Sequence, residues 1–553
     1  MTDQIYRHVT IVDHTHPFFG RTFPVIRETS SLGTSYLVVQ LPTGRTRSVP
    51  LAATDDVIET SSALPSGPAL LRCPSRSLFV TLQAFDTHSL EEATMLGKVF
   101  ARFVEKSPIS VMVRGTLERV LGADQLDAWF ARTAQKQYTR TVLFSTVYDI
   151  LSQVVFRIKP SVRAAYRDHE DQVGASLISL YNKLNGVETH TSAALVRYSA
   201  SALTPLIEQL EGARAPWLPG YRVKIIDGNC LEASERRLKA LREVPGGALP
   251  GKSLVVYEPA QGLVTDVFPC EDGHAQERSL FGALRETIQT RDLWMADRNF
   301  CTCALLCDID QRGACFIIRQ HEGLPFAPVN ILRSVGRVET GHVAEQRVQV
   351  RDAQGGTHLF RRIRVQLDQA TRDGDRVLYI LTNVPLRKAS AKRVARLYRR
   401  RWTLETAFQH LEAYFHSEIN TLGYPKAALF GFCLALVAYN MLAVVLAALR
   451  SVHGAEPIDQ ELSLYYVAND IAQTYHGMMI AIPEDEWRVF SRMRPAEMVA
   501  TLKELAQKVR LKAYQKSSRG PKKPRPKREG VTKASHVSTA KILRNRTVNA
   551  AIP

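Results

Sequence analysis

The chain has 553 residues, of which 45% are hydrophobic and 23% are charged, and its formal net charge is +18. This is the composition of a folded soluble protein, and the length exceeds that of one ordinary domain. So large a positive charge predicts a polyanionic partner, most often nucleic acid, with a merely solubilising charge as the alternative. The eight cysteines do not indicate a disulfide framework in a chain of this size, and "CTCALLC" lacks the paired spacing of zinc sites. We therefore expect small buried thiols in a reducing cytosol.

The first two segments predict a small β-rich module followed by a helical domain. The N-terminus lacks the charged-then-apolar pattern of an export signal, which predicts a cytoplasmic protein. Residues 1–88 alternate apolar and polar side chains in short runs such as "SYLVVQLPTG" and "SLFVTLQAF". Residues 89–205 repeat apolar side chains at i, i+3 and i+4, with basic and aromatic residues mixed among them. This pattern predicts a helical DNA-binding domain, although a plain helical scaffold would look much the same.

The third segment, residues 206–320, alternates strands with helices. "YRVKIIDGN" predicts a strand that ends at Asp227, followed by a helix over "LEASERRLKALREV". Four further runs predict strands: "KSLVVYEP", "GLVTDVFPC", "RDLWMADRNF" with Asp297 at its end, and "GACFIIRQ". Three strands that can form a meander, followed by a helix and more strands, indicate an α/β sheet of ribonuclease-H-like type.

The rest of the chain interrupts this sheet and then becomes helical. Residues 321–390 contain alternating strands and predict an all-β insertion domain, after which the α/β core resumes over 391–460 with Ser390 as a helix N-cap. The stretch 427–449 carries no charge and is long enough to cross a bilayer, but we expect a core helix that is buried on all sides. A C-terminal helical region is predicted for 461–513, and a basic disordered tail for 514–553.

The tail has its own charge signature. Between Lys508 and Lys533 there are eleven Lys or Arg residues and one Glu. A basic run interrupted by proline predicts a disordered segment that seeks phosphates, with a solubility tail as the alternative.

The stretch "YRRRWTLETAFQHLEAYF", residues 398–415, places charges where an apolar core is expected. Read as one helix at about 100° per residue, it puts Tyr398, Arg401, Glu405 and Glu412 within about 60° of one another, on the apolar side. An exposed Arg401–Glu405 pair would contribute only a few tenths of a kcal/mol and would belong on the polar face. A carboxylate on the buried side is costly unless a cation or metal meets it. The sequence therefore predicts a metal or phosphate partner near Glu405.

Two other carboxylates complete a candidate site. Asp227 and Asp297 each end a predicted apolar strand, where open α/β sheets present their chemistry, although either one alone is better explained as a turn or cap residue. Together with Glu405 they form a set of hard oxygen ligands that suits Mg²⁺. Two such ions about 3.5–4 Å apart would clamp the attacking and leaving oxygens of an in-line phosphoryl transfer. A basic protein with this site is best interpreted as cutting a nucleic-acid backbone.

These residues also carry a family resemblance. "IIDGN", "ADRNF" and "YRRRWTLE" resemble the three catalytic blocks of bacterial DDE transposases in the YREK-signature branch, insertion sequence family four. The resemblance covers roughly residues 90–530, and the family places a β insertion between its second Asp and its Glu. It implies that Asp227, Asp297 and Glu405 bind Mg²⁺, for which Mn²⁺ can substitute, and that Tyr398 and Arg401 contact DNA phosphates.

The resemblance has departures. The final Lys of the signature falls on Glu412, and His416 is only a weak substitute for it. Relatives stack a Trp of the β insertion on a flipped base, but all five Trp residues lie outside 321–390, which leaves Phe326, Phe360 or Tyr379 for that role. Residues 1–88 fall outside the resemblance.

The resemblance implies a cut-and-paste transposase that acts on the terminal inverted repeats of its own element. Its partners would be double-stranded DNA, both repeats and target, and a second copy of the chain in a synaptic homodimer, with no membrane. It would work in the cytoplasm at the nucleoid. Arg298, Arg319 and His321 are further candidates for DNA contacts, with a salt bridge for Arg298 and a loop role for His321 as alternatives. A stand-alone nuclease or resolvase and a catalytically silent DNA-binding copy are the alternative functions.

Overall fold

The computed structural model describes residues 8–12, 20–31, 34–40, 46–51, 54, 96–137, 141–371, 374–517 and 535–550. The chain divides into two compact units. One contains Met1–Gly97 with Gly477–Pro483, and the other contains Lys98–His476 with Glu484–Pro553.

The N-terminal unit is built on one antiparallel sheet, which confirms the β-rich prediction for its described part. Its strands pair in chain order and are β1 (His8–Thr10), β2 (Thr22–Ser31), β3 (Thr34–Gln40) and β4 (Thr46–Pro50). Leu37 and Val39 alternate along β3 and are buried in the core of this sheet with Val49 of β4. The predicted strand "SLFVTLQAF" lies outside the described residues.

The large unit opens with helices, as the i, i+3, i+4 pattern predicts. These are α1 (Ala101–Lys106), α2 (Pro108–Leu121), α3 (Ala123–Thr133), α4 (Phe144–Val155), α5 (Val162–Arg167), α6 (Glu170–Val173), α7 (Leu177–Gly186) and α8 (Thr189–Gln209). Helix α2 is buried over most of its length, so it is a core element rather than a surface helix.

The central sheet confirms the predicted meander and its continuation. The elements are β5 (Arg222–Cys230), β6 (Gly247–Leu249), β7 (Lys252–Glu258), β8 (Leu263–Cys270), α9 (Phe281–Arg285), β9 (Asp292–Ala296), α10 (Cys303–Gln311) and β10 (Cys315–Arg319). Strands β5, β7 and β8 are antiparallel, while β9 runs parallel to β5 and β10 parallel to β9. The order β8-β7-β5-β9-β10 is consistent with a ribonuclease-H-like core.

Two local predictions in this region are wrong. Strand β5 does not end at Asp227 but continues to Cys230, because residues 225–230 pair with β7. The segment "LEASERRLKALREV" forms only a 3-10 turn at Lys239–Leu241 and not an α-helix. Tertiary hydrogen bonds override its helix propensity: the N–H of Ser234 donates to the carbonyl oxygen of Ala248, and that of Glu235 to the carbonyl oxygen of Asn420.

The strands predicted for the β insertion are present, but they join the central sheet. They are β11 (Ala327–Pro328), β12 (Arg333–Val338), β13 (Gly341–Arg351), β14 (Thr357–Leu367) and β15 (Val377–Thr382), all antiparallel to their neighbours. Strand β15 pairs with β10, so the hydrogen bonding runs from β8 to the insertion in one sheet. The open edge of β10 explains this continuity, because its backbone groups need a partner.

The stretch 398–415 is two helices rather than the predicted single one. Helix α11 (Ala391–Arg399) begins at Ser390, whose side chain accepts from the N–H of Arg393 and so confirms the predicted N-cap. A 3-10 turn at Arg400–Trp402 follows, and then α12 (Thr403–Tyr414). Because α12 ends at Tyr414, His416 does not lie one turn further along the same helix face.

The long apolar stretch forms helix α13 (Pro425–His453), which passes a length and composition test for a membrane span. Within the structure, 89% of its most apolar window is buried, as the core-helix prediction requires. Asn440 in its middle is fully buried and hydrogen-bonds to the backbone of Val264 in β8.

The C-terminal region is helical as predicted, but its end is not a disordered tail. The elements are α14 (Ala455–Gln460), α15 (Leu464–Ala481), α16 (Glu484–Arg492), α17 (Pro495–Gln507), β16 (His536–Ser538) and α18 (Thr539–Ala550). Strand β16 pairs in parallel with β6, and Lys541 forms an ion pair with Asp272. These contacts order 535–550, while the prediction for 518–534 falls outside the described residues.

Candidate active site

Asp227 and Asp297 occupy neighbouring positions on two adjacent parallel strands. Strand β5 pairs with β9 so that Ile225 lies opposite Met295. Asp227 lies two residues further along β5, Asp297 is the first residue after β9, and the negative charge of Asp297 raises the pKa of Asp227. Asp297 directly follows β9, and its Oδ1 accepts from the N–H of Asn299 at 2.8 Å. The sheet therefore brings together two carboxylates that are 70 positions apart in the sequence.

Arg401 connects Glu405 to this pair. Its Nη1 donates to Oδ2 of Asp227 at 2.8 Å, and its Nη2 donates to Oε1 of Glu405 at 2.8 Å. Arg401 is only 6% exposed, whereas the side chain of Glu405 is 40% exposed. The charge on the apolar side of the helix is therefore the arginine, and the partner predicted near Glu405 is supplied within the chain.

The electrostatics show that the three carboxylates influence one another. Burial raises the pKa of Asp227 to about 6, and the negative charges of Asp297 and Glu405 push that pKa in the same direction. Arg401 opposes this rise. One guanidinium therefore faces three carboxylates, which leaves an excess of negative charge at the edge of the sheet.

Tyr398 is buried beside this cluster rather than placed on an exposed surface. It is 7% exposed, and burial raises the pKa of its hydroxyl to about 12, with Arg401 and Arg319 opposing. In this arrangement Tyr398 and Arg401 face the carboxylates, so their predicted contact with DNA phosphates stays a prediction.

The other predicted DNA-contact residues have different environments. Arg319 Nη2 donates to Asp375 at 2.7 Å, and Arg298 is exposed. His416 is half-buried, its backbone N–H donates to Val155, and burial lowers the pKa of its ring. Glu412 is exposed, which differs from its predicted place on the apolar side. Arg319 follows Ile318, which pairs with Ala296, and Arg298 follows Asp297, so both arginines lie at the same end of the strands as Asp297.

The proposed stacking residues of the insertion are largely occupied. Phe360 is 1% exposed and packs edge-on against Phe316. Tyr379 and Phe326 both lie against the guanidinium of Arg362, at 3.6 and 4.8 Å from their ring centroids. A flipped base would need Arg362 to move away first.

Glu277 is a carboxylate of this site that the sequence reasoning missed. It begins the 3-10 turn Glu277–Leu280, and a Cβ placed on Gly228 would lie 2.2 Å from its Oε1. Its carboxylate thus packs against β5 at Gly228, the residue that follows Asp227. Burial raises the pKa of Glu277, and Asp297 raises it further. No pattern in the surrounding loop "EDGHAQERSL" marks it, because its position depends on the fold.

The carboxylate oxygens of the site are ligands that fit a divalent cation, although Arg401 lies between Asp227 and Glu405. Carboxylate oxygens are the preferred ligands of Mg²⁺, and Asp227, Asp297 and Glu405 provide more negative charge than Arg401 neutralises. In the described part of the chain, no group of three His, Cys, Asp or Glu side chains lies close enough together to hold a metal ion. The guanidinium between Asp227 and Glu405 accounts for this separation.

Comparison with known proteins agrees with the predicted family at the level of the domain. Residues 219–441 match the family model described as "Transposase DDE domain". Among solved structures, the chain is similar to a piggyBac transposase in a synaptic complex with hairpin DNA, with 10% identity and a TM-score of 0.33; the match covers 68% of this chain and 82% of that one. No curated protein matches the chain. The segment that matches the transposase DDE domain contains Asp227, Asp297 and Glu405.

Proposed function

We propose that this chain is a cut-and-paste DNA transposase of the YREK-signature branch, insertion sequence family four. The observation that carries the proposal is the convergence of Asp227 and Glu405 on the buried Arg401, with Asp297 beside them, inside the transposase DDE domain. These residues are far apart in the sequence, and a shared catalytic role would explain why they lie close together.

The reaction would be two successive phosphoryl transfers. In the first, a water oxygen bonds to phosphorus while the P–O3′ bond at the end of the element breaks, which leaves a 5′-phosphate and a free 3′-hydroxyl. In the second, this 3′-oxygen bonds to a phosphorus of target DNA while a P–O3′ bond of the target breaks. Asp227, Asp297 and Glu405 would hold Mg²⁺, or Mn²⁺ in its place, which when bound activates the attacking oxygen and stabilises the leaving one.

The chain's own residues would organise this site before the substrate arrives. Arg401 holds Asp227 and Glu405 in one arrangement, and the buried Tyr398 packs beside Arg401 and restricts it. Burial keeps water away from Asp227, which strengthens every electrostatic interaction there. Arg298 and Arg319 near Asp297 would bind the phosphates that flank the reacting one.

The partners would be double-stranded DNA and a second copy of the chain. The net charge of +18 supports a polyanionic partner, and the helical region that precedes the DDE domain would bind the terminal inverted repeats. Two ends held together would require a homodimer, and the protein would work in the cytoplasm at the nucleoid.

The test is an assay of reaction products. The full chain is incubated with Mg²⁺, target DNA and a duplex that carries the inverted repeats flanking its own gene. Joined products are expected from a transposase. Cleavage without joining would indicate a nuclease, and binding without cleavage would indicate a silent copy, so either result would contradict the proposal.

A further inference from the structure

Four arginines between 319 and 364 are half-buried, and they divide into two kinds. Arg319 pairs with Asp375, and Arg361 pairs with Glu345 while also donating to the carbonyl oxygens of Val384 and Ala389. Arg362 and Arg364 form no ion pair with a carboxylate within the described residues. A half-buried guanidinium without a counter-charge is costly, because it has lost part of its hydration.

Arg362 is held rigidly by neutral groups. Its guanidinium lies 3.6 Å from the ring centroid of Tyr379 and 4.8 Å from that of Phe326, and its Nε donates to Oε1 of Gln320 at 2.6 Å. Burial lowers the pKa of Arg362, and the positive charge of Arg364 lowers it further, although Tyr379 opposes. The two arginines therefore repel each other, and no carboxylate of the described residues pairs with either of them.

Arg364 has a polar atom with no acceptor. Its Nε is buried and makes no hydrogen bond to any described part of the chain. Arg364 lies directly opposite Tyr379 in the pairing of β14 with β15, and Arg362 precedes it by two residues on the same face. Two guanidiniums, one fixed by stacking and one with an unsatisfied donor, thus stand side by side.

This pair lies on the face of the sheet opposite to Asp227. Asp227 shares a face of β5 with Ile225, which pairs with Met295 of β9. Met295 pairs in turn with Ile317 of β10. Ile317 pairs with Thr382 of β15, and Thr382 pairs with Arg361 of β14. Residues directly opposite one another share a face, and successive residues alternate, so Arg362 and Arg364 point to the other side. A phosphate bound by them is therefore not the one that reacts at Asp227, Asp297 and Glu405.

We propose that Arg362 and Arg364 form a second phosphate site, which binds a non-reacting phosphodiester of duplex DNA on the far face of the insertion. A planar guanidinium can donate two parallel hydrogen bonds to two oxygens of one phosphate. An arginine that aromatic rings already hold in place loses little side-chain entropy when it binds in this way. A phosphodiester would supply both the missing counter-charge and the acceptor for Arg364. The inference rests on the proposed function only in taking DNA as the polyanion.

The test measures duplex binding in EDTA, so that cutting plays no part. Fluorescence anisotropy of a labelled duplex is followed from 50 to 200 mM salt for the full chain and for Arg364→Gln. Loss of one phosphate contact should weaken binding roughly tenfold and reduce the slope of log K against log salt by about one. Arg351→Gln, which removes an exposed charge from neighbouring β13, is the matched control and should change both quantities less.

Each outcome decides the inference. If Arg364→Gln and Arg351→Gln change affinity and slope equally, the pair is only part of a general positive field and the site does not exist. If circular dichroism shows that Arg364→Gln does not fold, Arg364→Lys is tested instead. It keeps the charge, so the slope of log K against log salt must stay at the wild-type value while the affinity falls. If the unchanged protein does not bind the duplex at all, both this site and the proposed function are wrong, whereas normal binding with an inert Arg364 overturns this site alone.

Discussion

Arg401 is the residue on which the arrangement of the candidate site depends. Its side chain is 8% exposed, and it donates to one oxygen of Asp227 and one of Glu405. An internal cation in this position neutralises part of the carboxylate cluster by binding two of its members directly. The same charge is in competition with any metal ion that would use these oxygens.

Removal of the guanidinium should therefore lower the stability of the protein and raise its affinity for a metal ion. In Arg401→Gln, we expect the free energy of unfolding without metal to fall by about 1–3 kcal/mol, because Asp227 loses a buried charge-assisted hydrogen bond. The bond to the half-exposed Glu405 contributes little of this, since water screens it. Mn²⁺ should bind more tightly than to the unchanged protein, because its competitor is gone, and calorimetry measures this directly.

The exposed neighbour provides the control. Arg400→Gln removes the same charge one position earlier and should leave both stability and Mn²⁺ affinity near their original values. If Arg401→Gln binds Mn²⁺ less tightly than the unchanged protein, Arg401 supports the metal site instead of competing with it.

At the scale of elements, one buried asparagine joins helix α13 to the edge of the central sheet. The side chain of Asn440 accepts from the N–H of Val264 at 2.8 Å and donates to its carbonyl oxygen at 2.9 Å. None of the described strands pairs with β8 on that side, so Asn440 replaces the strand partner for this residue. These two hydrogen bonds fix the position of helix α13 along strand β8.

Asn440→Leu should destabilise the protein although it makes the helix more apolar. Two buried backbone groups of Val264 would be left unsatisfied, at about 1–3 kcal/mol each, against a smaller gain from burying the leucine. We expect a net loss of about 2–4 kcal/mol in urea unfolding. Asn469→Leu, an exposed change on helix α15, should alter stability by less than about 0.5 kcal/mol. A stable Asn440→Leu protein would show that these hydrogen bonds contribute nothing.

A second contact between elements depends on protonation. His358 on β14 lies 2.7 Å from a carboxylate oxygen of Asp310 in α10 and 3.3 Å from one of Asp352 after β13. Burial by itself lowers the pKa of His358, but the hydrogen bonds and charges of the two aspartates outweigh it and hold that pKa above its ordinary value.

The sign of the pH dependence follows from this raised pKa. The folded state binds the proton more tightly than the unfolded state, so the stabilisation is complete below about pH 6.5 and is lost as the pH rises through the folded-state pKa. Urea unfolding at pH 5.5 and 8.5 should show this loss in the unchanged protein and a smaller one in His358→Asn. Equal pH dependence in both proteins would contradict the role given to His358.

The elements that the sequence predicted well share a physical feature. The runs around Val255, Val267 and Ile317 alternate or cluster apolar residues within a few positions, and local pattern is enough to identify such strands. The failures depend on contacts between distant segments. Arg401 lies in the 3-10 turn between α11 and α12 and binds Asp227, and β16 pairs with β6. No local pattern reveals either contact.

The same division holds for the candidate site. Asp227 and Asp297 can be selected because each follows an apolar run, although β5 continues past Asp227, and Glu405 because a charge is predicted on an apolar helix face. Glu277 could not, because only the fold places its loop against Gly228.

At the scale of the whole molecule, the structure brings a single large sheet, a set of helices and a strong positive charge into one polypeptide. The sheet runs from β8 through the strands with Asp227 and Asp297 to the insertion that carries Arg362 and Arg364. Asp227 lies on one face of it, and Arg362 and Arg364 lie on the other. With a net charge of +18, such a protein would bind DNA mainly through phosphates, so its affinity should fall steeply with salt.

The central claim is that Asp227, Asp297 and Glu405 act as one phosphoryl-transfer site. The most direct measurement is the rate of Mg²⁺-dependent cleavage of DNA that carries the gene's flanking inverted repeats, for Asp227→Asn, Asp297→Asn, Glu405→Gln and the triple variant. Each single change should lower the rate by roughly a thousandfold or more, and the triple variant should be no slower than the singles, because residues that act as a unit are not additive. Duplex affinity and the rate of the exposed control Glu412→Gln should stay near those of the unchanged protein. Near-normal cleavage by any one of the three single variants would contradict the account.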